Sequence, residues 1–365
     1  MKITCSRDDL AARLGVVSRG LSTRGTVQIL AGVLLQVQDG HLELAATDME
    51  LSLRAKLDGN VEGEGSAVVP GRLLTEIVRL LPEEQVVLEH RVEESTVYVT
   101  SGSSESRLRT YAVEDFPRLP DPATSALSTL EAEPLLDTIS RVSRAASRDE
   151  SRPVLTGILV RFEGSSLVMA ATDSYRMAVK ETSVGGSPPD LDAIVPARAL
   201  DELRRIAAGA GEIQLGTLDN HVIFGVGDTW LTTRRIDGQF PNYRQLLPEA
   251  FEHEVKLPRD EFLDVIRRAA VMAQRSTPLR LRFAEGELTV SAQTQDIGEA
   301  REQMPIGFSG EPLEIGFNPV WLRDGIESVV EDELTLKLIN ALRPAVIAET
   351  SGDFWYLIMP IRLAG

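Results

Sequence analysis

At 365 residues, with 43% apolar and 25% charged residues, the chain has the composition of a folded soluble protein and is too long for one ordinary core, which predicts two or three domains. A formal net charge of -17 argues against gripping nucleic acid over the general surface, though it leaves room for a basic lining inside an acidic shell. The single Cys5 excludes an internal disulfide and a multi-cysteine metal site, and no apolar run approaches the ~20 residues needed to cross a bilayer, so a cytoplasmic protein without a signal peptide is expected.

The first predicted element is a helix. Ser6 with Asp9 three residues on forms a cap, and Leu10, Leu14, Val17 and Leu21 fall on one stripe. Alternating HLELAA and STVYVTS read as strands joined by Gly or Asp-Gly turns, and a second helix starts after Pro70. The same order then recurs. ILAGVLLQVQDGHLELAATD, ending at Asp48, aligns with VLTGILVRFEGSSLVMAATD, ending at Asp173, at a shift of 125 residues. VVPGRLLTEIVRLLP matches IVPARALDELRRI (Ile194 to Ile206), and EDFPRLP resembles GQFPNYRQLLP at nearly the same shift. A weaker third copy contains PLRLRFAEGELTVSAQT and the helix FNPVWLRDGIESVV. The repeat predicts an α+β protein of three ~120-residue domains, each with an antiparallel sheet and two helices, bounded at 1–120, 121–247 and 248–365.

Arginines recur on the outer faces of the predicted helices. With Leu135, Ile139, Val142 and Ala146 inward, Arg141, Arg144 and Arg148 project outward. Arg72 and Arg79 lie opposite Leu74, Ile77 and Leu81, and Arg198 and Arg205 take the matching places in the second copy. In the third copy Arg267, Arg268 and Arg275 leave the Phe262, Ile266, Ala269 stripe, while Arg323 shares its helix with Asp324 and Glu327. A polar helix face is ordinarily just solvated, but several arginine faces in so acidic a chain point to a localised cationic surface. Such a surface neutralises phosphates without reading bases.

Catalytic signatures are missing from the sequence. His41, His90, His221 and His253 are scattered, with no HExxH, phosphate loop or GxSxG elbow, and no metal or cofactor is expected. Asp48 and Asp173 each end an Ala-Ala-Thr-Asp strand, and the residues after them differ, so a local hydrogen-bonding role is favoured over catalysis.

The threefold repeat, ATDSYRMAV (Ala171 to Val179), DGQFPNYRQLLP and the terminal YLIMPIRL together resemble the β sliding clamp of bacterial DNA polymerase III, in register over essentially the whole chain. The resemblance implies the DNA clamp fold and a head-to-tail homodimer closing a six-domain ring. Helices would line the hole, and double-stranded DNA would pass through without sequence specificity. It implies a non-catalytic processivity factor that tethers DNA polymerase, clamp loader and repair proteins. With the helix faces it makes Arg24, Arg72, Arg79, Arg141, Arg144, Arg148, Arg152, Arg198, Arg205, Arg267 and Arg268 DNA-facing.

The family's cleft between second and third domains accepts peptides loosely of the form Gln-Leu-x-Leu-Phe. Its matching positions are Leu155, Thr172, Ser174, Tyr175, Arg176 and Met177, then Pro241, Arg244, Gln245, Leu246 and Leu247, and in the tail Leu357, Met359, Pro360, Ile361, Arg362 and Leu363. Leu, Met and Pro suit an adaptable apolar pocket, with Thr172 and Arg176 as groups to fix the peptide backbone or glutamine. Ser174-Tyr175 stands where the family often has Gly-His, and Gln245 where it has arginine. The ring interface is expected at Arg107, Leu108 and Arg109 on one side and Val271, Met272, Asp296, Glu299 and Glu302 on the other. A peptide-binding adaptor that does not encircle DNA, and a hydrolase using Asp173, are the competing readings.

Overall fold

The computed structural model describes residues 1–23, 27–38, 40–185, 188–273, 277–294 and 297–363. Arg24, Arg275 and Asp296 lie outside the described residues.

The helix signals fold as read. Ser6 accepts from the Asp9 amide and opens the Arg7–Val17 helix, with Leu10, Leu14 and Val17 buried. Second helices run Gly71–Leu80 and Ala197–Ile206, and the third copy supplies Arg259–Ala270 and Pro319–Glu327. The Ala132–Val142 helix gives way to a 3-10 turn at Ser143–Ala145, so Arg148 lies beyond it and is not part of a helix face. The three copies share a hairpin: Gly32–Gln38 with His41–Thr47, Gly157–Glu163 with Ser166–Thr172, and Leu279–Ala284 with Glu287–Thr294. Gly40, Gly164 and Gly286 turn these hairpins at φ 81, 63 and 71, where a side chain is disfavoured.

The chain forms two compact units that cut across the repeats. One holds Met1–Ala132 with Glu202–Arg235, the other Glu133–Asp201 with Ile236–Gly365. The cause is sheet continuity. In the first unit Thr229–Arg234 pairs with Leu51–Leu57, fusing four strands of the second copy with four of the first into one eight-stranded sheet. In the second unit Arg176–Ser183 pairs with Phe354–Ile358, fusing four strands of the second copy with four of the third.

Each unit carries one further sheet. The first unit has five strands ending at the Ser104–Arg109 edge, and the second has four ending at the Gly298–Pro305 edge. Within the first unit Leu10, Leu14, Leu74 and Val78 from two helices share a core with Val33, Leu44, Val86 and Val99 from both sheets. Burial of these side chains stabilises each by about 1.5–3 kcal/mol relative to exposure.

Candidate functional site

The repeated Thr-Asp is a turn-building device. Thr47 Oγ1 donates to the Leu51 carbonyl and accepts from the Met49 amide, while Asp48 Oδ1 accepts from the amides of Glu50 and Leu51. Thr172 and Asp173 repeat this pattern with Arg176, Ser174 and Tyr175. Met49 and Ser174 both stand at positive φ, 79 and 80, a conformation the paired bonds enforce. Asp173 therefore has no free oxygen for chemistry: Oδ1 serves the turn and Oδ2 accepts from Arg176 Nε at 3.0 Å. The hydrolase reading loses its base. Among the described residues, no group of three or more His, Cys, Asp or Glu is placed to hold a metal ion.

Arg176 is the centre of the turn's second layer. Its Nη1 donates to Asp324 Oδ2 at 2.5 Å and to the Tyr356 hydroxyl at 3.3 Å, and Tyr356 donates onward to the Trp321 carbonyl at 3.0 Å. Burial pushes the Tyr356 phenol well above its ordinary value, so it stays protonated. Thr172 and Arg176, expected to fix a peptide's backbone or glutamine, both also hold the turn and its support. Sequence reasoning missed Asp324, Trp321 and Tyr356. Their signal was weak, an acid and an aromatic on a helix that otherwise looked solvated.

Around this turn the structure gathers most of the expected cleft. Met177 and Leu357 are opposite one another across the fused sheet and share an apolar cluster with Tyr243, Leu247 and Trp355. Tyr175, 53% exposed, stacks on Trp321 at 5.2 Å, and its carbonyl accepts from the Met359 amide at 2.8 Å. Ile361 is tied to the Gly316 carbonyl, with Leu363 packed over Gly316. Pro241 and Pro360 are half-buried, Leu155 lies in the Pro153–Thr156 turn, and Gln245, Leu246 and Arg362 are exposed. Arg244 is drawn to Glu163 at 3.1 Å. Arg152 donates to Ser174 Oγ at 3.1 Å and pairs with Asp149, which puts it beside the turn.

The arginine faces are more compensated than the sequence implied. Arg141 is corrected outright: it is 5% exposed, pairs with Glu349 at 2.6 Å and lies 5.5 Å from the Phe354 ring. A helix projection marks a residue as solvated only if nothing else packs there, and here a strand end of the third copy does. Arg144 and Arg267 converge on Glu327 at 2.8 and 2.9 Å. Burial works against the Glu327 charge, but the hydrogen bond from Arg267 and the nearby Arg144 and Arg323 outweigh it and hold its carboxyl below the usual range. Arg205 and Arg19 share Glu202. Arg268, expected to face DNA, pairs at 2.7 Å with Glu302, expected at the ring interface. Arg72, Arg79, Arg148 and Arg198 are exposed.

At the edge strands Arg107 and Arg109 point to solvent, with Arg107 paired to Glu105 at 2.8 Å. Leu108 is 6% exposed and packs into the first unit's core from the edge strand itself. Glu299 and Val271 are exposed, and Met272 is half-buried.

Repeated α+β modules that fuse edge to edge into continuous sheets, with arginine-bearing helices, define a DNA-clamp type of protein. Family models for the DNA polymerase III beta subunit match the chain in order: the N-terminal domain at 1–120, the central domain at 129–242 and the C-terminal domain at 244–362. The chain is 34% identical over 379 residues to the beta sliding clamp of Streptomyces coelicolor, covering all of both chains. It is 31% identical to the beta sliding clamp homolog GriR of Streptomyces muensis, covering 99% of each. Among solved structures, the sliding clamp of Bacillus subtilis matches at TM-score 0.93 and 25% identity over 100% of both chains. The Pseudomonas aeruginosa sliding clamp bound to griselimycin matches at TM-score 0.91 and 28% identity, also over 100% of both. The chain belongs to the beta sliding clamp family, the beta subunit of DNA polymerase III, a non-catalytic component of DNA replication. Among the described residues no helix is long and apolar enough to cross a membrane.

Proposed function

We propose that two copies of this chain pair head to tail into a closed ring of six domains, bounded in each copy at 1–120, 121–247 and 248–365, that slides on duplex DNA in the cytoplasm. Within the chain, the fused sheets use one kind of join twice, and their registers agree. Thr232 lies opposite Ser52, and Leu357 opposite Met177. Following the hairpin ladders through each copy, Thr232 and Leu357 correspond to Arg107, and Ser52 and Met177 correspond to Glu299. Ser104–Arg109 and Gly298–Pro305 are the two strands left without the partner their counterparts have.

Repeating the join between two copies sets Arg107 opposite Glu299, Ser106 opposite Ala300 and Glu105 opposite Arg301. Both solvent-face pairs are of opposite charge, which the register itself does not require. Leu73 is 52% exposed while its counterpart Ala199 is 1% exposed, and Val271 is exposed as well; both suit burial in the same join.

The arginine faces then serve phosphate contact, and the Tyr175, Met177, Leu247, Leu357 and Met359 cleft serves short Gln-Leu-x-Leu-Phe-like peptides of polymerase, clamp loader and repair proteins. A relative's complex with griselimycin supports a ligand-binding surface in this family. The test is the double variant Ser106→Cys, Ala300→Cys. Mild oxidation is expected to give a covalent dimer, and the parent a solution mass near twice 39.9 kDa. A 39.9 kDa species at micromolar concentration, with no cross-link, would sink the ring.

A further inference from the structure

Three arginines reach one carboxylate from different elements. Arg144 approaches Glu327 at 2.8 Å from the turn after one helix, Arg267 at 2.9 Å from a second, and Arg323 at 4.0 Å from a turn earlier on Glu327's own helix. The acid lies below and the cations above, since the Glu327 side chain is 19% exposed and the arginines 39%, 52% and 45%. Asp324, one turn earlier, is 3.9 Å from Arg144 and already holds Arg176. The first unit repeats the arrangement independently, with Glu202 accepting from Arg205 and, at 3.4 Å, from Arg19. Arg72, Arg79 and Arg148 differ, being exposed with no ion pair to a described residue.

A carboxylate within hydrogen-bonding distance of a guanidinium competes with a phosphate oxygen for the same N–H donors. It also cancels part of the field that a phosphate would meet. The arginine partners are 39% to 60% exposed and screened by solvent, so the pairs contribute modestly to folding and stability alone gives no strong reason to keep an acid there. We infer that Glu327, seconded by Glu202, is a built-in counter-anion that weakens the hold of the arginine faces on duplex DNA, so that phosphates are exchanged rather than retained as the protein slides. This rests on the reading of these arginines as DNA-facing.

Anisotropy of a labelled DNA duplex, titrated with full-length protein over a KCl series, tests it. Glu327→Gln is expected to tighten low-salt binding by roughly threefold to tenfold and to make the slope of log affinity against log salt more negative by up to about one. Glu202→Gln should act in the same direction, and the Glu327→Gln gain should vanish in an Arg144→Ala, Arg267→Ala background. Equal or weaker binding by a Glu327→Gln protein that melts like the parent overturns the inference and leaves the DNA reading standing. Unchanged binding after joint reversal of Arg72, Arg79 and Arg148 to glutamate overturns the DNA reading itself. Should Glu202→Gln melt early, the more exposed Glu327→Gln carries the test.

Discussion

Arg176 and Asp324, 148 residues apart in sequence, form a 2.5 Å ion pair directly behind the turn that carries Ser174 and Tyr175. The pair is nearly enclosed, with side-chain exposures of 10% and 14%, and Asp173 completes it from the other side. It makes the backing of this turn a product of two repeats.

Removing one member of an enclosed pair leaves the other charge without compensation. Arg176→Ala is therefore expected to destabilise the protein by about 3 kcal/mol, read by urea denaturation, and to weaken peptide binding because the turn loses its backing. Lost peptide binding with unaltered unfolding would mean that Arg176 meets the ligand directly.

Arg141 tests the division between structural arginines and those proposed to face DNA. Glu349 uses Oε2 for Arg141 and Oε1 for the Val330 amide, so Arg141→Ala strands a buried carboxylate. The expected loss is about 3–5 kcal/mol in denaturant unfolding, with the salt dependence of DNA binding unchanged. Arg148→Ala should show the reverse: normal unfolding and a shallower salt slope.

Met359 is 37% exposed and its amide donates to the Tyr175 carbonyl, which puts it among the proposed cleft residues. A charged residue there, Met359→Glu, is expected to abolish binding of a Gln-Leu-x-Leu-Phe-like peptide in fluorescence polarisation while leaving the solution mass unaltered. Retained affinity would remove the tail from the cleft.

Glu331 ties two chain segments through backbone hydrogen bonds. It accepts from the Thr350 amide at 2.7 Å and the Ser351 amide at 3.2 Å, bonds that hold its carboxyl below the usual range. A lowered folded-state value means the stabilisation is present above the unfolded value, roughly pH 4.3 for glutamate, and is lost as pH falls through the folded value. Glu331→Gln is expected to melt below the parent at pH 7, and the gap should close in acid melts below about pH 4. A gap that persists there would assign the effect to packing.

Several features are legible in the sequence alone. Ser6 and Asp9 announced the first helix, Gly40, Gly164 and Gly286 the hairpins, and the Ala-Ala-Thr-Asp copies the repeat, because each depends on neighbours a few residues away. The cleft's location rests on the resemblance rather than on any local pattern, and Arg141, outward on a helix wheel, is buried. A helix wheel or an edge-strand motif records which residues share a face, and cannot record what packs against it.

The sequence by itself determined three copies of one α+β module, the turn chemistry of Thr172 and Asp173, and an acidic chain with arginine concentrated on helices. Tertiary structure alone decided that Arg176 pairs with Asp324, that Glu327 and Glu202 sit among the arginines, and that two edge strands lack the partner their counterparts have. The division follows range: turns and helix caps are set by contacts within a few residues, whereas burial of charge and pairing of strands depend on segments brought together only by folding.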